Sequence, residues 1–226
     1  RALKTAYFVT GTDTGVGKTV VAAAILRALA AQRVRAVGMK PVAAGVEPGE
    51  RDNADVRALA AASGVEAPRA LANPYAFADA IAPHVAAARA DRPIDLGTLR
   101  EAFAALAERA DVVVVEGAGG AMVPLDRHRD MLDIAAAFGL PVLLVVGIRL
   151  GCLNHALLSA LAIRQRGLPL AAWVATRIDP SMLAAQSSVD TLRERIAAPC
   201  IGDFASPDAT SFDARALATL GLHAAA

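Results

Sequence analysis

A single doubly wound α/β sheet, mostly parallel and with helices on both faces, is the fold that this sequence of 226 residues predicts. Three observations carry the prediction. Short runs rich in β-branched residues alternate with longer Ala-rich runs along the whole chain, the rhythm of repeated βαβ units. One short run, Val112-Val113-Val114-Val115, has no polar alternation, as a strand covered on both faces requires. The first short run passes through a glycine-rich turn straight into a helical run.

In chain order, Thr5 to Thr10 reads as a buried strand and Val20 to Ala31 as an apolar helix. Val34 to Lys40 is a second strand, stopped at Pro41. Glu47 to Asn53 is polar, contains Pro48 and Gly49, and reads as a loop before a helix from Ala54 to Ala62. Four prolines break the pattern between Pro68 and Pro93, around a short helix at Val85 to Ala90. An amphipathic helix follows from Asp95 to Arg109, then the valine strand from Asp111 to Glu116. Met131 to Phe138 is a helix, Pro141 to Gly147 a buried strand, and Ala156 to Arg166 a helix. Leu168 to Ala175 is a strand containing Trp173, and Ser181 to Ile196 a helix. Cys200 to Gly202 and Ser211 to Leu220 close the chain as a short strand and a last helix. There is no internal repeat and no low-complexity linker, so one domain over residues 1–226 is expected.

Bulk composition narrows the function classes. The 23 basic and 22 acidic residues nearly cancel, which favours neither nucleic acid nor an anionic membrane as a partner. The two cysteines, Cys152 and Cys200, lack the paired spacing of a zinc or thioredoxin site and suit a reducing compartment. The strongest apolar run, Pro141 to Ile148, falls far short of the roughly 20 residues that cross a bilayer. With no signal-peptide pattern, a soluble cytoplasmic protein is expected.

The chemistry concentrates at Gly11-Thr12-Asp13-Thr14-Gly15-Val16-Gly17-Lys18-Thr19. Glycines let the backbone curl so that successive N–H groups face phosphate oxygens, and the following helix N-terminus adds positive potential. Lys18 would reach the β- and γ-phosphates and the Thr19 hydroxyl would ligand Mg²⁺. This is a phosphate-binding loop, and the fold is P-loop NTPase-like. The common form, G-x-x-x-x-G-K-[ST], is one residue shorter; Gly11 and Gly17 are separated by five residues.

Three charged residues stand at positions where such sheets bind ligands, the carboxyl ends of strands and the turns beyond them. Lys40 ends the second strand; it is either a solvated terminal lysine or a ligand contact. Asp55 begins a helix, where a carboxylate either serves the helix dipole or turns to a phosphate-bound Mg²⁺. Glu116 closes the valine strand and runs into Gly117-Ala118-Gly119-Gly120, where an acid can hold Mg²⁺ or its waters and glycines allow close backbone approach. His84 has no partner at ligand spacing and reads as structural.

The loop, Lys40-Pro41-Val42-Ala43, Val115-Glu116-Gly117-Ala118-Gly119-Gly120 and Leu150-Gly151-Cys152-Leu153-Asn154-His155 together resemble the dethiobiotin synthetase family, as does Asn73-Pro74-Tyr75. The resemblance covers essentially the whole chain, and the longer loop belongs to the family pattern. It implies ATP- and Mg²⁺-dependent ring closure of 7,8-diaminononanoate with CO₂, through a carbamate and its phosphate, in a homodimer. On that reading Lys40, Lys18 and Thr14 are catalytic. Thr14, Gly15, Val16, Gly17, Lys18, Thr19, Asp55, Glu116, Gly117, Ala118 and Gly119 bind nucleotide, with Thr19, Asp55 and Glu116 at the metal. Thr176-Arg177 and Ala205-Ser206-Pro207 lie at the base. Lys40, Ala44 and Leu150, Gly151, Cys152, Leu153 and Asn154 meet the diamine, the last five from the partner subunit.

Three positions depart from the family pattern: Ala44 where Ser is usual, Gly15 where Glu is common, and Thr176 where Asn reads adenine. A threonine cannot offer an amide donor and acceptor together, so weakened base discrimination is expected. The principal rival is a nucleotide-switched partitioning protein on the same fold, but the extra lysine such proteins carry early in the loop is replaced by Thr12 and Asp13. Cobyrinate amidation would need a glutaminase domain for which there is no room. A pure binding module would not require Lys40, Asp55 and Glu116 to converge.

Overall fold

The valine strand sets the layering. In the computed structural model, which describes residues 5–46, 49–50, 52–206 and 210–222, Val113 and Val115 face one core and Val112 and Val114 the other. The chain runs β1 (Thr5–Gly11), α1 (Lys18–Ala31), β2 (Ala36–Met39), β3 (Val42–Ala44), α2 (Ala54–Ala62), α3 (Arg69–Ala72), β4 (Tyr75–Phe77) and α4 (Pro83–Arg89). It continues α5 (Leu96–Ala107), β5 (Val112–Gly120), α6 (Met131–Phe138), β6 (Val142–Ile148), α7 (Cys152–Gln165), β7 (Leu170–Arg177), α8 (Ala185–Arg195), β8 (Cys200–Phe204) and α9 (Ala214–Thr219).

Six strands form one sheet in the order β2-β5-β1-β6-β7-β8, every pairing parallel. Strand β1 lies inside the sheet; the chain first reaches the edge strand β2, returns through β5 beside β1, and then winds out through β6, β7 and β8, which places a crevice beyond the carboxyl end of β1. On one face α1, α2 and α9 bury Val21, Ile25, Leu26, Leu29, Leu59 and Leu217. On the other, α5 to α8 bury Leu99, Leu106, Leu132, Ile134, Ile163 and Leu192 against Phe8, Leu144 and Trp173. The doubly wound sheet expected from the sequence is the sheet observed.

Differences are local. Strands β3 and β4, which pair in parallel as a small separate sheet, and the single turn α3 fall in stretches read as irregular. Helix α7 starts at Cys152, four residues before the expected Ala156, because Gly151 at φ 94° turns the chain directly into it. Helix α1 likewise starts at Lys18 behind Gly17 at φ 91°. Of the expected loop at residues 47–53, Glu47, Pro48 and Arg51 lie outside the described residues, as does Pro207. Among the described residues, no helix is long and apolar enough to cross a membrane.

The packing of α1 and α2 on β2 is close enough to test. A Cβ added at Gly38 would lie 2.9 Å from Cβ of Leu59 and 3.0 Å from Cδ1 of Leu26. Gly38→Ala is expected to destabilise the fold by about 1–3 kcal/mol, measured by chemical denaturation, because neither helix can retreat without opening the core.

Candidate active site

The glycine-rich loop is held open by its glycines and fastened to the end of β6. Gly15 and Gly17 have φ of 73° and 91°, where side chains other than hydrogen are strained. The N–H of Thr12 donates to the carbonyl of Val145 at 3.0 Å, the N–H of Gly147 reaches the Thr12 hydroxyl at 3.3 Å, and Asp13 pairs with Arg149 at 2.6 Å. Gly17 caps α1 without a side-chain hydrogen bond, and the first turn carries no acid. The orphan N–H groups and positive end of the helix are therefore free for an anion.

Two lysines enter this crevice in opposite electrostatic states. Lys18 is buried and donates to the carbonyl of Asp13 at 2.8 Å. Burial, reinforced by the charge of Lys40, lowers its pKa to about 8. Lys40 leaves the end of β2 and donates to Glu116 at 2.6 Å and to Asp55 at 2.7 Å. Burial works against its charge, but the two carboxylates outweigh it and hold Lys40 above the ordinary lysine value. Asp55 is pushed up by burial yet ends below the ordinary carboxylate range, chiefly through Lys40.

Glu116 is 0% exposed; its Oε1 also accepts from the Thr19 hydroxyl at 2.8 Å, and its Oε2 has no partner. Thr19, Asp55 and Glu116 thus converge as hard oxygen donors, a set that suits a small divalent cation sharing its shell with phosphate. Among the described residues no group of three or more His, Cys, Asp or Glu forms a metal cage, so any such ion would depend on substrate oxygens.

Other anticipated residues fall on the rim or behind it. Thr14 is exposed beside Gly119, where a Cβ would sit 3.5 Å from its hydroxyl. Gly117 admits Phe8: a Cβ there would meet Cζ at 2.9 Å. Ala118 is half-buried against the core. Leu150 is 89% exposed, Cys152 buried, Leu153 half-buried and Asn154 exposed at the start of α7. Ala205 and Ser206 follow β8 at the surface. Arg177 is held by both oxygens of Asp203 at 3.0–3.1 Å and by Gln186 at 2.6 Å. Thr176 is 0% exposed and gives its hydroxyl to the main chain, not to the crevice.

Two asparagines to which the sequence reading gave no role hold the site together. Asn53 caps α2 by accepting from the N–H of Asp55 at 2.9 Å while its amide donates to the carbonyls of Ala44 and Gly45. It therefore aims Asp55 and ties it to the half-buried Ala44. Asn73 donates to the carbonyl of Lys40 at 2.6 Å and fixes the backbone from which that lysine springs. An Asn one residue before a helix with an acid in its first turn is a readable cap signal; the stretch Asn73-Pro74-Tyr75 stands out in the sequence, but nothing local signals the contact of Asn73 with Lys40.

A family model described as an AAA domain matches residues 5–210. The ATP-dependent dethiobiotin synthetase BioD of Nitrosospira multiformis is 53% identical over 214 residues, covering 95% of this chain and 93% of that protein. The chain belongs to the ATP-dependent dethiobiotin synthetase family. The enzyme of the same name from Aromatoleum aromaticum is 51% identical over 199 residues, covering 87% of this chain and 88% of its own. Solved structures share the fold alone. The septum site-determining protein MinD complexed with Mg-ADP from Pyrococcus horikoshii aligns at TM-score 0.57 and 15% identity, over 91% of this chain and 82% of its own. A ParA family ATPase from Chlorobium tepidum aligns at 0.53 and 15%, over 96% and 90%. Family membership makes this an ATP-dependent ligase of biotin biosynthesis and disfavours the partitioning switch.

The state of Lys18 has a pH signature. Its ammonium is present below pH about 8 and lost above it in the free protein, and bound phosphates favour the charged form. Nucleotide binding at pH 8.5 is therefore expected to take up protons, and affinity to fall as pH rises through 8–9. Calorimetry in buffers of different ionisation enthalpy reads both.

Proposed function

We propose that residues 1–226 act as one domain that converts 7,8-diaminononanoate, CO₂ and ATP to dethiobiotin, ADP and phosphate. The observation that carries the reading is the ammonium of Lys40, 4% exposed and gripped by Glu116 and Asp55 beside Lys18 and the loop. One substrate amine attacks CO₂ and loses a proton, giving a carbamate. A carbamate oxygen then attacks the γ-phosphorus and ADP leaves. The second amine attacks the carbonyl carbon, phosphate leaves with the bonding pair, and the ring nitrogen loses its proton.

Phosphoryl transfer of this kind needs positioning and neutralisation of spreading negative charge. Lys18 and Lys40 supply the neutralisation, with Lys40 nearest the carbamate and Thr14 at the phosphoryl group or carbamate. The N–H groups of the loop hold the phosphates, and Gly117, Ala118 and Gly119 allow the backbone to approach. Thr19, Asp55 and Glu116 would hold Mg²⁺, which when bound neutralises phosphate charge. The partnerless Oε2 of Glu116 supports that assignment. Arg177, Ala205, Ser206 and Pro207 lie along the nucleoside side, Pro207 by resemblance alone.

The working form is a cytoplasmic homodimer. What supports a second copy is a set of exposed apolar side chains: Leu150 just before α7, Leu158 and Leu161 on α7, and Met122. On this reading Leu150 to Asn154 of the partner subunit cover the carboxylate end of the diamine, and Ala44 leaves that site without a hydroxyl contact. Cytoplasmic placement is supported by two free cysteines, Cys152 and Cys200. Nucleic acid and membrane have no part in the reading.

Incubation with diaminononanoate, bicarbonate and MgATP is expected to release phosphate together with a cyclic urea detected by mass; phosphate release without the urea would sink the assignment. Lys40→Met is expected to lower turnover at least about 10³-fold while nucleotide affinity, read by calorimetry, stays within a few-fold. Glu116→Gln is expected to raise the Mg²⁺ concentration needed for half-maximal rate. Leu158→Glu with Leu161→Glu is expected to give a monomer by light scattering and to abolish ring closure.

A further inference from the structure

Val16, in the middle of the loop, is fixed from three directions. Its side chain is 1% exposed and fills a slot that exists because Gly11 and Gly147 lack side chains; a Cβ at either would lie 2.7 Å from a Val16 methyl. Its carbonyl accepts the Thr176 hydroxyl at 2.6 Å. Val146 offers the same hydroxyl a second carbonyl at 3.3 Å, and one proton serves the shorter bond. Thr176 stands opposite Gly147 in the β6–β7 register and opposite Phe204 in β7–β8, in the interior of the sheet.

We propose that Thr176 is a positioning residue for the triphosphate, acting through the Val16–Gly17 peptide, and that it does not read the base. The inference rests on the loop being the phosphate cradle. A trans peptide is planar, with its C=O and N–H pointing in opposite directions. Holding the carbonyl of Val16 on β7 therefore turns the N–H of Gly17 away from β7. The peptide joins Val16 to Gly17, whose φ is 91°, and a glycine on its carboxyl side is the residue that most readily lets a peptide plane turn over. Turned over, it would present a carbonyl oxygen to phosphate in place of a donor. The hydroxyl blocks that rotation, and its own burial leaves it no reach to a nucleobase. Arg177, the next residue, is committed to Asp203 and Gln186.

The test compares Thr176→Val, which keeps the shape and removes the hydroxyl, with Thr176→Ser, which keeps the hydroxyl. Affinities of the full chain for MgATP, MgGTP, MgCTP and magnesium tripolyphosphate are measured by calorimetry, and melting is followed without ligand. Thr176→Val is expected to weaken all four about tenfold by a common factor, and Thr176→Ser to recover most of the loss. A loss confined to ATP, with tripolyphosphate unchanged, would mean that Thr176 serves the nucleoside and would overturn the proposal. An unchanged Thr176→Val, or equal losses in both variants tracking a lower melting temperature, would overturn it as well. Wild-type protein that binds no tripolyphosphate and no ATP would remove the loop reading itself.

Discussion

Everything in the crevice depends on a lysine kept charged in a place that should discharge it. Lys40 is buried, yet Glu116 at 2.6 Å and Asp55 at 2.7 Å hold its proton. A buried ion pair of this kind contributes little net stability, since desolvation of the charges offsets their attraction. Its value here is placement. The three groups come from just past the end of β2, the middle of β5 and the first turn of α2, so the contact ties two strands to a helix. Removing Lys40 would leave Glu116 buried without its counter-ion, whereas the side chain of Asp55, 41% exposed, keeps contact with solvent.

The loop is held by a different kind of force. Lys40 and its partners are fixed by charge, whereas Val16 is fixed by shape and one neutral hydrogen bond. The glycines therefore have unequal duties. Gly15 and Gly17 supply positive φ, while Gly11 and Gly147 supply space for a neighbouring valine. A loop of flexible residues becomes a rigid anion cradle because rigid strands flank it on both sides. That is pre-organisation supplied by the sheet, with the loop itself contributing little stiffness.

The sheet was legible because its signals are local. Four valines announce a strand with two buried faces, and a glycine-rich turn before Lys18-Thr19 announces an anion site. Lys40 was legible because strand ends are where such folds place ligands; Glu116, expected to close its strand, instead lies midway along β5, which continues to Gly120, and the structure brings the two into contact. What stayed hidden is tertiary. Strands β3 and β4 are three residues each and form only against one another, so neither has a periodicity to read. Asn73 was visible as part of Asn73-Pro74-Tyr75, but its bond to the carbonyl of Lys40, 33 residues back in the chain, was not. Thr176 lies at a position read as base-facing, yet its hydroxyl is spent 160 residues away on Val16. Side-chain-to-backbone bonds between distant segments leave no pattern in composition or spacing.

The two lysines also divide the work of neutralisation by their surroundings. Lys40 has counter-ions already, so its charge is available to a substrate only as Glu116 and Asp55 share it or turn to another cation. Lys18 donates to a carbonyl, and burial together with the charge of Lys40 outweighs the carboxylates of Glu116, Asp55 and Asp13, so its proton is correspondingly loose. An arriving polyphosphate thus gains most from Lys18, whose charge it stabilises and whose repulsion from Lys40 it screens.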